Sequence, residues 1–549
     1  MKSIVSLCLG LSLTSTFIHA QEPYILDPYF GNNGVTISSN PPWGNNQYRS
    51  YNVKNMTIAP DNKIVLAGNQ SPNFAPHFIS GGNYAITRLN VDGTLDSSFA
   101  GTGHKVFQSG ANGAPILELN HLIVLPDNKI LYAGTSTSTF PSKMVVYKVN
   151  VDGSFDATFG SNGQVVFSSG PLSWHSLDAL GVQSSGKVLL LGKNFDNNAP
   201  TVGSISRLNA NGSTDNSFGN NGVLIPNLGF SDNHVTYSMI KVLSDNSFLV
   251  TGTHVQQSPA VRQNFVAKFD ANGVLQTSFG NNGKVILPIA SGERLYFYNN
   301  DIEVASDGAI YINCSTNGGG ANNESVLVYK LSNSGILINN YGQNGRLSLP
   351  GFHFDSWYFY DAQLQDDKLL VAGMIDTGLN AAYRLQRFNA DGTEDLTFVN
   401  PLSHTTATRN ALDHSFYLGL QSNNKIMLGG YGKRDNKAGD SIFPVVMRFL
   451  ERGTEQPPVD TGTSVVNVRD QSQVKIFPNP VNNLIYIQGV KSNTEARFYD
   501  LSGKLVLSAL ISDKNFGTVD CGSLPAGIYG LYLKEANSKI IYAHKLLKQ

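Results

Sequence analysis

Three aspartates occupy comparable segments of the chain and could carry acid–base chemistry. Asp178, Asp301 and Asp361 each stand close to an aromatic-rich segment, just before an apolar strand-like run. Two converging carboxylates, one with a raised pKa, are what a polysaccharide hydrolase or lyase requires. No catalytic motif surrounds any of the three, so such an enzyme is the alternative hypothesis and not the first.

The sequence lacks the familiar motifs of metal and nucleophile chemistry. It contains no H-E-x-x-H, no nucleophile elbow, no phosphate loop and no paired C-x-x-C. A recurring D-G-x-x-D phrase resembles part of a calcium loop, but it lacks the further acidic ligands and the terminal Glu. We interpret it as a turn, and we predict no catalytic residue, no metal site and no cofactor.

A column of basic residues recurs on one strand of each repeat, and an acid usually follows eight positions later. The column allows two interpretations: a ring of cations lining a channel, or a structural Arg–Asp contact in each unit. We favour the structural one because the column adjoins turn residues. The bases are Arg88, Lys148, Arg207, Lys268, Lys330, Arg387 and Arg448, and the partners Asp96, Asp156, Asp215, Gln276, Ile338 and Asp395, with Asp27 as an unpartnered first copy.

Aromatic and histidine side chains concentrate in variable segments that precede each hairpin. Aromatic rings with polar tips suit stacking on sugars or peptides. These segments differ between repeats while the scaffold phrases do not, so we predict a glycan- or peptide-binding face there. The candidates are Tyr51, Trp174, His175, His234, Tyr237, Tyr296, Tyr298, Trp357, Tyr360 and His414.

The elements that position these residues come from an internal repeat of about 60 residues. Each unit contains an apolar run, a polar turn and a second apolar run, as in residues 58–68, which predicts a β-hairpin. A third strand, an Asp-Gly turn and an F-G-x-x-G phrase follow. The phrase is anchored by an aromatic residue that we expect to be buried between units. The seven anchoring aromatics are Phe30, Phe99, Phe159, Phe218, Phe279, Tyr341 and Phe398.

Four short strands in each of seven units predict an all-β fold, a seven-bladed β-propeller over residues 21–450. An open β-solenoid is the runner-up, but its coils are usually shorter, about 20–30 residues. The ends of the array complement each other, since the first copy lacks its basic strand and the last lacks F-G-x-x-G. We therefore expect the strand at residues 35–37 to pair with the one at residues 445–449 and close the ring.

The repeat resembles the delta-60 repeat family, in its period and in its F-G-x-x-G and D-G phrasing. The resemblance covers about four-fifths of the chain. It implies a propeller-like architecture and a bacterial cell-surface location, but no general activity.

A different module occupies residues 473–549, after a Pro-, Thr- and Gly-rich linker at residues 451–472. Apolar alternation, as at Leu484 and Tyr486, indicates half-buried strands and a small β-sandwich. The module resembles the type A sorting domain of the type IX secretion system, which is characteristic of Bacteroidota. A generic ligand-binding sandwich is the alternative. The residues that carry the resemblance are Pro478, Asn479, Pro480, Gly503, Lys504, Gly527, Tyr529 and Lys545.

Residues 1–20 have a basic start, an apolar stretch and a small final residue, as a cleaved signal peptide has. With the sorting module, this predicts export through the periplasm to the cell surface or beyond, and the type IX machinery as a partner. No other stretch predicts a transmembrane helix, and a net charge of -1 argues against nucleic acid. We predict a non-catalytic binding or adhesion protein; a purely structural surface-layer module is a third class.

Overall fold

The computed structural model contains β-strands and turns throughout its described residues. These are residues 24–32, 34–38, 50–71, 83–108, 117–137, 142–168, 174–196, 199–230, 234–256, 261–289, 294–296, 302–317, 324–350, 361–376, 381–398, 414–433, 442–451, 474–478, 481–490, 493–500, 504–512, 516–535 and 540–548. Within them, no helix is long and apolar enough to cross a membrane.

The repeat array supplies twenty-nine strands. In chain order they are β1 (Tyr24–Leu26), β2 (Val35–Ile37), β3 (Ser50–Ile58), β4 (Ile64–Ser71), β5 (Tyr84–Leu89), β6 (His104–Phe107), β7 (Leu117–Val124), β8 (Ile130–Ser136), β9 (Lys143–Val149), β10 (Gln164–Phe167), β11 (Trp174–Val182), β12 (Val188–Asp196), β13 (Ala199–Leu208), β14 (Val223–Leu224), β15 (Val235–Val242), β16 (Phe248–Gln256), β17 (Val261–Phe269), β18 (Lys284–Ile286), β19 (Arg294–Tyr296), β20 (Ile302–Val304), β21 (Ile310–Asn317), β22 (Glu324–Leu331), β23 (Arg346–Pro350), β24 (Asp361–Gln365), β25 (Lys368–Asp376), β26 (Ala381–Phe388), β27 (His414–Leu420), β28 (Ile426–Lys433) and β29 (Ile442–Glu451).

Apart from one larger sheet, these strands form antiparallel sheets that are each built from consecutive segments of chain. Strands β7–β10, β11–β14 and β15–β18 are four-stranded sheets, β19–β23 a five-stranded one and β24–β26 a three-stranded one. Strands β3–β6 and β27–β29 share one nine-stranded sheet with β1 and β2, joined by a bridge between Ile442 and Ser50. The hairpins fall where the repeat predicts them, since β3 ends at Ile58 and β4 begins at Ile64.

The first strands of successive sheets stand around a common axis. Strand β3 contacts β7, β7 contacts β11, β11 contacts β15, β15 contacts β20, β20 contacts β24, β24 contacts β27, and β27 returns to β3. This arrangement is a β-propeller, as the repeat predicts. The count of seven blades stays a prediction, because two strand groups merge into a single sheet.

The ring closes with strands from opposite ends of the array, as predicted. Val35 of β2 lies opposite Met447 of β29, and Leu26 of β1 lies opposite Phe449. A side-chain contact reinforces this pairing, because the Arg448 guanidinium donates to Asp27 at 2.8 Å. The last blade therefore borrows its outer strands from the N-terminal segment, and both free sheet edges are removed.

Each anchoring aromatic is buried at the junction with the following blade. Phe218 is fully buried beneath the Arg207 guanidinium, whose carbon lies 4.4 Å from the ring centroid. Gly273 of the next blade packs on the same ring, and a side chain there would collide with Phe218. Arg207 also donates to the Ala271 carbonyl oxygen of that blade at 2.6 Å. The burial predicted for Phe99, Phe159, Phe218 and Phe279 is confirmed, and the anchoring aromatics Phe30, Tyr341 and Phe398 are buried as well.

The base column belongs to a buried charge triad that also includes a hairpin lysine. Asp215 accepts from Arg207 at 2.7 Å and from Lys187 at 2.9 Å. The five charge triads are Lys63–Asp96–Arg88, Lys129–Asp156–Lys148, Lys187–Asp215–Arg207, Lys368–Asp395–Arg387 and Lys425–Asp27–Arg448. These contacts support the structural interpretation of the column.

Two blades lack the acid, and they also lack the hairpin lysine. Where Gln276 and Ile338 replace the aspartate, Ser247 and Ala309 occupy the lysine position. The remaining base turns to the next blade: Lys330 donates to the Ala390 carbonyl oxygen at 2.7 Å. The acid and the second lysine are thus absent together, so each of these two blades keeps one base where the other blades hold two bases and an acid.

The C-terminal module is a β-sandwich with its own core. Its strands are β30 (Lys475–Phe477), β31 (Leu484–Gln488), β32 (Thr494–Tyr499), β33 (Leu505–Ile511), β34 (Phe516–Asp520), β35 (Gly527–Glu535) and β36 (Ile540–Lys548). Sheet β30–β31–β34 packs on sheet β33–β32–β35–β36 through residues such as Ile485 and Phe498. Strand β31 is half-buried as predicted, but Ile485 and Ile487 face the core while Leu484 is 45% exposed.

Candidate functional site

The inner strands of five blades, β3, β7, β11, β15 and β27, share an irregularity that shapes the axis of the propeller; in β27 it lies between His414 and Tyr417. In the other four strands, the pairing register shifts by one residue after Val53, Leu119, Leu177 and Tyr237. A β-bulge of this kind inserts one extra residue and redirects side chains. The inserted residues differ in chemistry from blade to blade: they are Lys54, Asn120, Asp178 and Ser238.

These bulge residues line a channel of about 1010 Å³ at the propeller axis. Residues just after the bulge also contribute, among them Asn55, His121 and Tyr417. A volume near 1,000 Å³ is at the upper end for small-ligand sites. The channel is therefore large enough for an extended ligand of several linked units.

The channel carries both signs of charge. Asp178 pairs with Lys193 on the adjacent strand at 3.1 Å, and burial nevertheless raises the pKa of Asp178. Lys241 lies 3.5 Å from Glu303 of the following blade. Burial lowers the pKa of Lys54, because its ammonium group is largely removed from water.

Other polar residues at the channel join neighbouring blades. The His121 Nε2 lies 3.3 Å from the Leu177 carbonyl oxygen, and burial lowers the pKa of His121 to about 4. Asp361 accepts from the backbone N–H of Leu418 at 2.7 Å, and Gln363 donates to the Leu418 carbonyl oxygen at 2.9 Å. His121 is therefore neutral at pH 7, and both Asp361 and Gln363 are committed to holding strand β27.

Comparison with protein-family models now supplies identities for both parts of the chain. A β-propeller domain of unknown function (DUF5122) matches residues 59–99, 125–159, 183–218 and 364–398. Each matched stretch runs from a hairpin to an anchoring aromatic. The secretion system C-terminal sorting domain matches residues 475–549. The protein is a β-propeller with a type IX sorting tail. Its sorting tail marks it for export to the cell surface or for secretion.

Solved structures that resemble this propeller protein do so only distantly. PorZ, a surface component of the type IX secretion system of Porphyromonas gingivalis, shares 11% identity over 93% of this chain and 61% of its own, with a TM-score of 0.33. Trypanosoma rangeli sialidase shares 9% identity over 91% and 85% of the two chains, with a TM-score of 0.35. Pyrococcus horikoshii acylaminoacyl peptidase shares 9% over 88% and 57%, also at 0.35. No curated protein matches the sequence.

Two of the aromatics predicted to bind ligand lie in the propeller core. Tyr51 is fully buried, and its hydroxyl donates to the Ala85 carbonyl oxygen at 2.8 Å. Tyr237 is 3% exposed and packs edge-on against Phe265, although it borders the channel. Both lie on strands whose alternation turns them inward, so they do not form the exposed aromatic face that we expected.

For most of the other candidates on that face, the structure gives only the position of the backbone, and the remaining ones lie outside the described residues. His234 is partly buried next to β15, and its carbonyl oxygen accepts from Val255 at 3.0 Å. Strand β11 begins with Trp174 and His175, β19 ends at Tyr296 and β27 begins at His414. Tyr298, Trp357 and Tyr360 lie outside the described residues, as does the carboxylate candidate Asp301.

The residues of the sorting motif are spread along the sandwich. Tyr529 is buried in the core and donates to the Pro525 carbonyl oxygen at 2.7 Å. The backbone N–H of Lys504 donates to the Asp500 carboxylate, and its carbonyl oxygen accepts from the Asp500 N–H. Pro478 follows β30 on the surface. Gly527 begins β35, opposite Lys548, and Lys545 pairs with Gly530. Asn479, Pro480 and Gly503 lie outside the described residues.

The sequence analysis did not predict four of the channel residues, Lys54, Asn120, Lys193 and Lys241. A bulge leaves no local signature in the sequence, so nothing distinguished these side chains from solvent-exposed strand residues. The base column, which we weighed as a possible channel lining, contributes none of the channel residues. In the described part of the chain, no group of His, Cys, Asp or Glu is arranged to hold a metal ion.

Proposed function

We propose that this protein is an exported, non-catalytic binding protein that takes its ligand in the axial channel. The observation that carries the proposal is the channel of about 1010 Å³, whose polar lining changes from blade to blade. The blades around it repeat their packing residues closely. A lining that varies on a repeated scaffold is typical of a binding site placed on a rigid frame.

The purified protein should bind members of a glycan or peptide array. The matched variants are Asn120→Leu and Ser238→Leu, which remove polar groups from the channel, and Asn150→Leu, which changes an amide outside it. Binding that is lost in the first two and kept in the third would support the channel. Equal binding by all three would place the ligand elsewhere, and no binding to any array member would remove the proposal.

A polysaccharide hydrolase or lyase is the second candidate, and one observation favours it. Asp178 lines the channel with a raised pKa, as a general acid requires, and Asp361 lines the same channel. Against it, both Asp361 oxygens accept backbone N–H groups, from Ala362 and Leu418. Incubation with the polysaccharides that bind should release no reducing ends or unsaturated sugars. Release that is abolished in Asp178→Asn would establish the enzyme instead.

The sorting tail gives a separate prediction about export. Removing residues 474–549 should leave a folded propeller, since the ring closes through β29 and its own N-terminal strands. We expect the shortened protein to stay in the periplasm of a host with type IX machinery, while the full chain reaches the outside. We also expect cleavage of the tail within residues 451–472 during delivery. Equal amounts of both chains outside the cell would show that this module does not direct sorting, and would favour the ligand-binding sandwich.

A further inference from the structure

Lys54 is unlike the other lysines that line the channel. It is the extra residue of the β3 bulge, and the structure describes no ion pair or hydrogen bond to its side chain. Lys193 and Lys241 lie in the same cavity but have acidic partners at 3.1 and 3.5 Å. A cation that is withdrawn from water without a counter-ion is costly to the fold. Its cost is offset if an anion enters the channel.

Asp178 holds the equivalent bulge position two blades further on, and it is only half satisfied. Its Oδ1 faces Lys193, while its Oδ2 is buried and makes no hydrogen bond of normal geometry with the residues that the structure describes. The Ser176 hydroxyl is a donor close to this carboxylate and also lacks a partner of normal geometry among them. A buried acceptor without a donor destabilises the fold until a donor reaches it. The channel therefore presents an unpaired cation and an unused acceptor on nearby blades.

The channel lining combines short amides and hydroxyls with aliphatic side chains and two tyrosines, Tyr237 and Tyr417. Asn120 occupies the bulge position of the blade between the unpaired cation and the unused acceptor, and Ser238 that of the next blade. Amide and hydroxyl groups both donate and accept, so they suit a ligand rich in hydroxyls.

We propose that the channel binds a carboxylated sugar, such as a uronate unit of an acidic polysaccharide, with Lys54 on its carboxylate and Asp178 Oδ2 accepting from a hydroxyl. This inference rests on the proposed function and names the ligand class of the same site. A carboxylate places one negative charge beside Lys54, the channel lysine that has no acidic partner among the described residues. Arg262 also lines the channel, so a sulfated ligand is included in the test below. The channel volume accommodates more than one sugar unit.

The test measures binding of an oligouronide to the full protein by calorimetry. Its comparison ligands are the same sugar with its carboxyl groups reduced, a sulfated oligosaccharide and an acidic peptide. We expect the oligouronide to bind best and the carboxyl-reduced sugar at least about tenfold more weakly, as loss of a charged hydrogen bond implies. Lys54→Met should abolish that preference for the carboxylate, and Lys54→Arg should keep most of it.

Two further variants complete the design. Lys143→Met removes a lysine outside the channel and should leave binding unchanged. Asp178→Asn should weaken the oligouronide and the reduced sugar alike, because it contacts a hydroxyl in both. Lys54→Met removes a partly buried charge that has no acidic partner in the described part of the chain, so this variant should unfold no earlier than the parent. This separates loss of binding from loss of fold.

A wrong ligand class and the absence of a binding channel would give different results. If the reduced sugar, the sulfated sugar or the peptide binds as well as the oligouronide, the carboxylated sugar is the wrong ligand and the binding channel stands. Retention of the carboxylate preference in Lys54→Met would also overturn the role of Lys54. If no sugar and no peptide binds at all, both the inference and the proposed function fail.

Discussion

The charge triads between the blades and the charges in the channel use the same residue types in opposite ways. In the triads, a lysine, an aspartate and a second base recur in five blades, and the acid is satisfied from both sides. In the channel, Lys54 and Asp178 each occur once, at equivalent bulge positions, and neither is fully paired. Repetition with complete pairing marks charges that hold the fold together. Singular, incompletely paired charges mark a surface left open for something else.

The largest expected effect is on the triads, through acid. Burial opposes ionisation of Asp96 and Asp156, but hydrogen bonds and nearby cations outweigh it and lower the pKa of each to about 2. The same balance lowers the pKa of Asp215 and Asp395. The folded state therefore binds fewer protons than the unfolded state, and this contribution is present above pH 4 and lost towards pH 2.

We expect the free energy of unfolding to fall steeply between pH 4 and pH 2 in denaturant titrations. Asp156→Asn should start less stable at pH 7 and lose less on acidification, because one of the titrating groups is gone. A midpoint that stays constant across this range would mean that the triads do not stabilise the propeller.

A smaller effect is expected from the anchoring aromatics. Phe218→Ala should cost about 3–5 kcal/mol, because it empties a buried site and removes the ring beneath Arg207 and beside Gly273. The matched control is Phe155→Ala, since Phe155 is 38% exposed and should cost about 1 kcal/mol or less. Chemical unfolding of both variants measures the difference in the free energy of unfolding. Similar losses in the two variants would show that Phe218 does not stabilise the junction between blades.

The blade that lacks a triad offers a constructive test. Ser247→Lys alone should destabilise the propeller, since it adds a cation close to Lys268 where Gln276 stands in place of the triad acid. Adding Gln276→Asp should reverse this, with a coupling energy of about 0.5–3 kcal/mol in a double-mutant cycle. Additive effects on the free energy of unfolding would show that the residues at positions 247 and 276 do not interact, and that the joint absence of the acid and the lysine does not affect stability.

The smallest expected effect lies in the channel. Burial raises the pKa of Asp178, so its ionised form is disfavoured in the folded state and its contribution to stability grows as the pH falls. Asp178→Asn should therefore change the free energy of unfolding by less than about 1 kcal/mol at pH 7. The same substitution at Asp156 should be clearly destabilising. A large loss of stability in Asp178→Asn would show that Asp178 stabilises the fold, as the triad aspartates do.

The features that recur in every repeat unit could be predicted from the sequence. The strand at residues 35–37, the buried aromatics such as Phe99 and the turn at Gly93 follow from patterns that recur around the ring. The pairing of Lys187 with Asp215 was missed, because the hairpin lysine and the acid are 28 positions apart and only the fold brings them together. The channel was missed for another reason: a bulge is a property of pairing between strands. Tyr51 shows the converse error, since an aromatic in a variable segment can still turn into the core.

The closure of the ring by β1 and β2 sets an order of events for folding. The contact between Asp27 and Arg448 spans 421 positions, so the first strands synthesised have no partner until the last blade exists. Contacts of such long separation form late, because loop closure must precede them. Until then the outer edge of β29 and the segment that covers it are both unpaired, and an unpaired edge is where strands of other chains add. A chain that crosses a membrane unfolded would therefore complete its fold in one last step, the pairing of β1 and β2 with β29. A propeller that lacks residues 24–37 should associate with other copies through the exposed edge of β29.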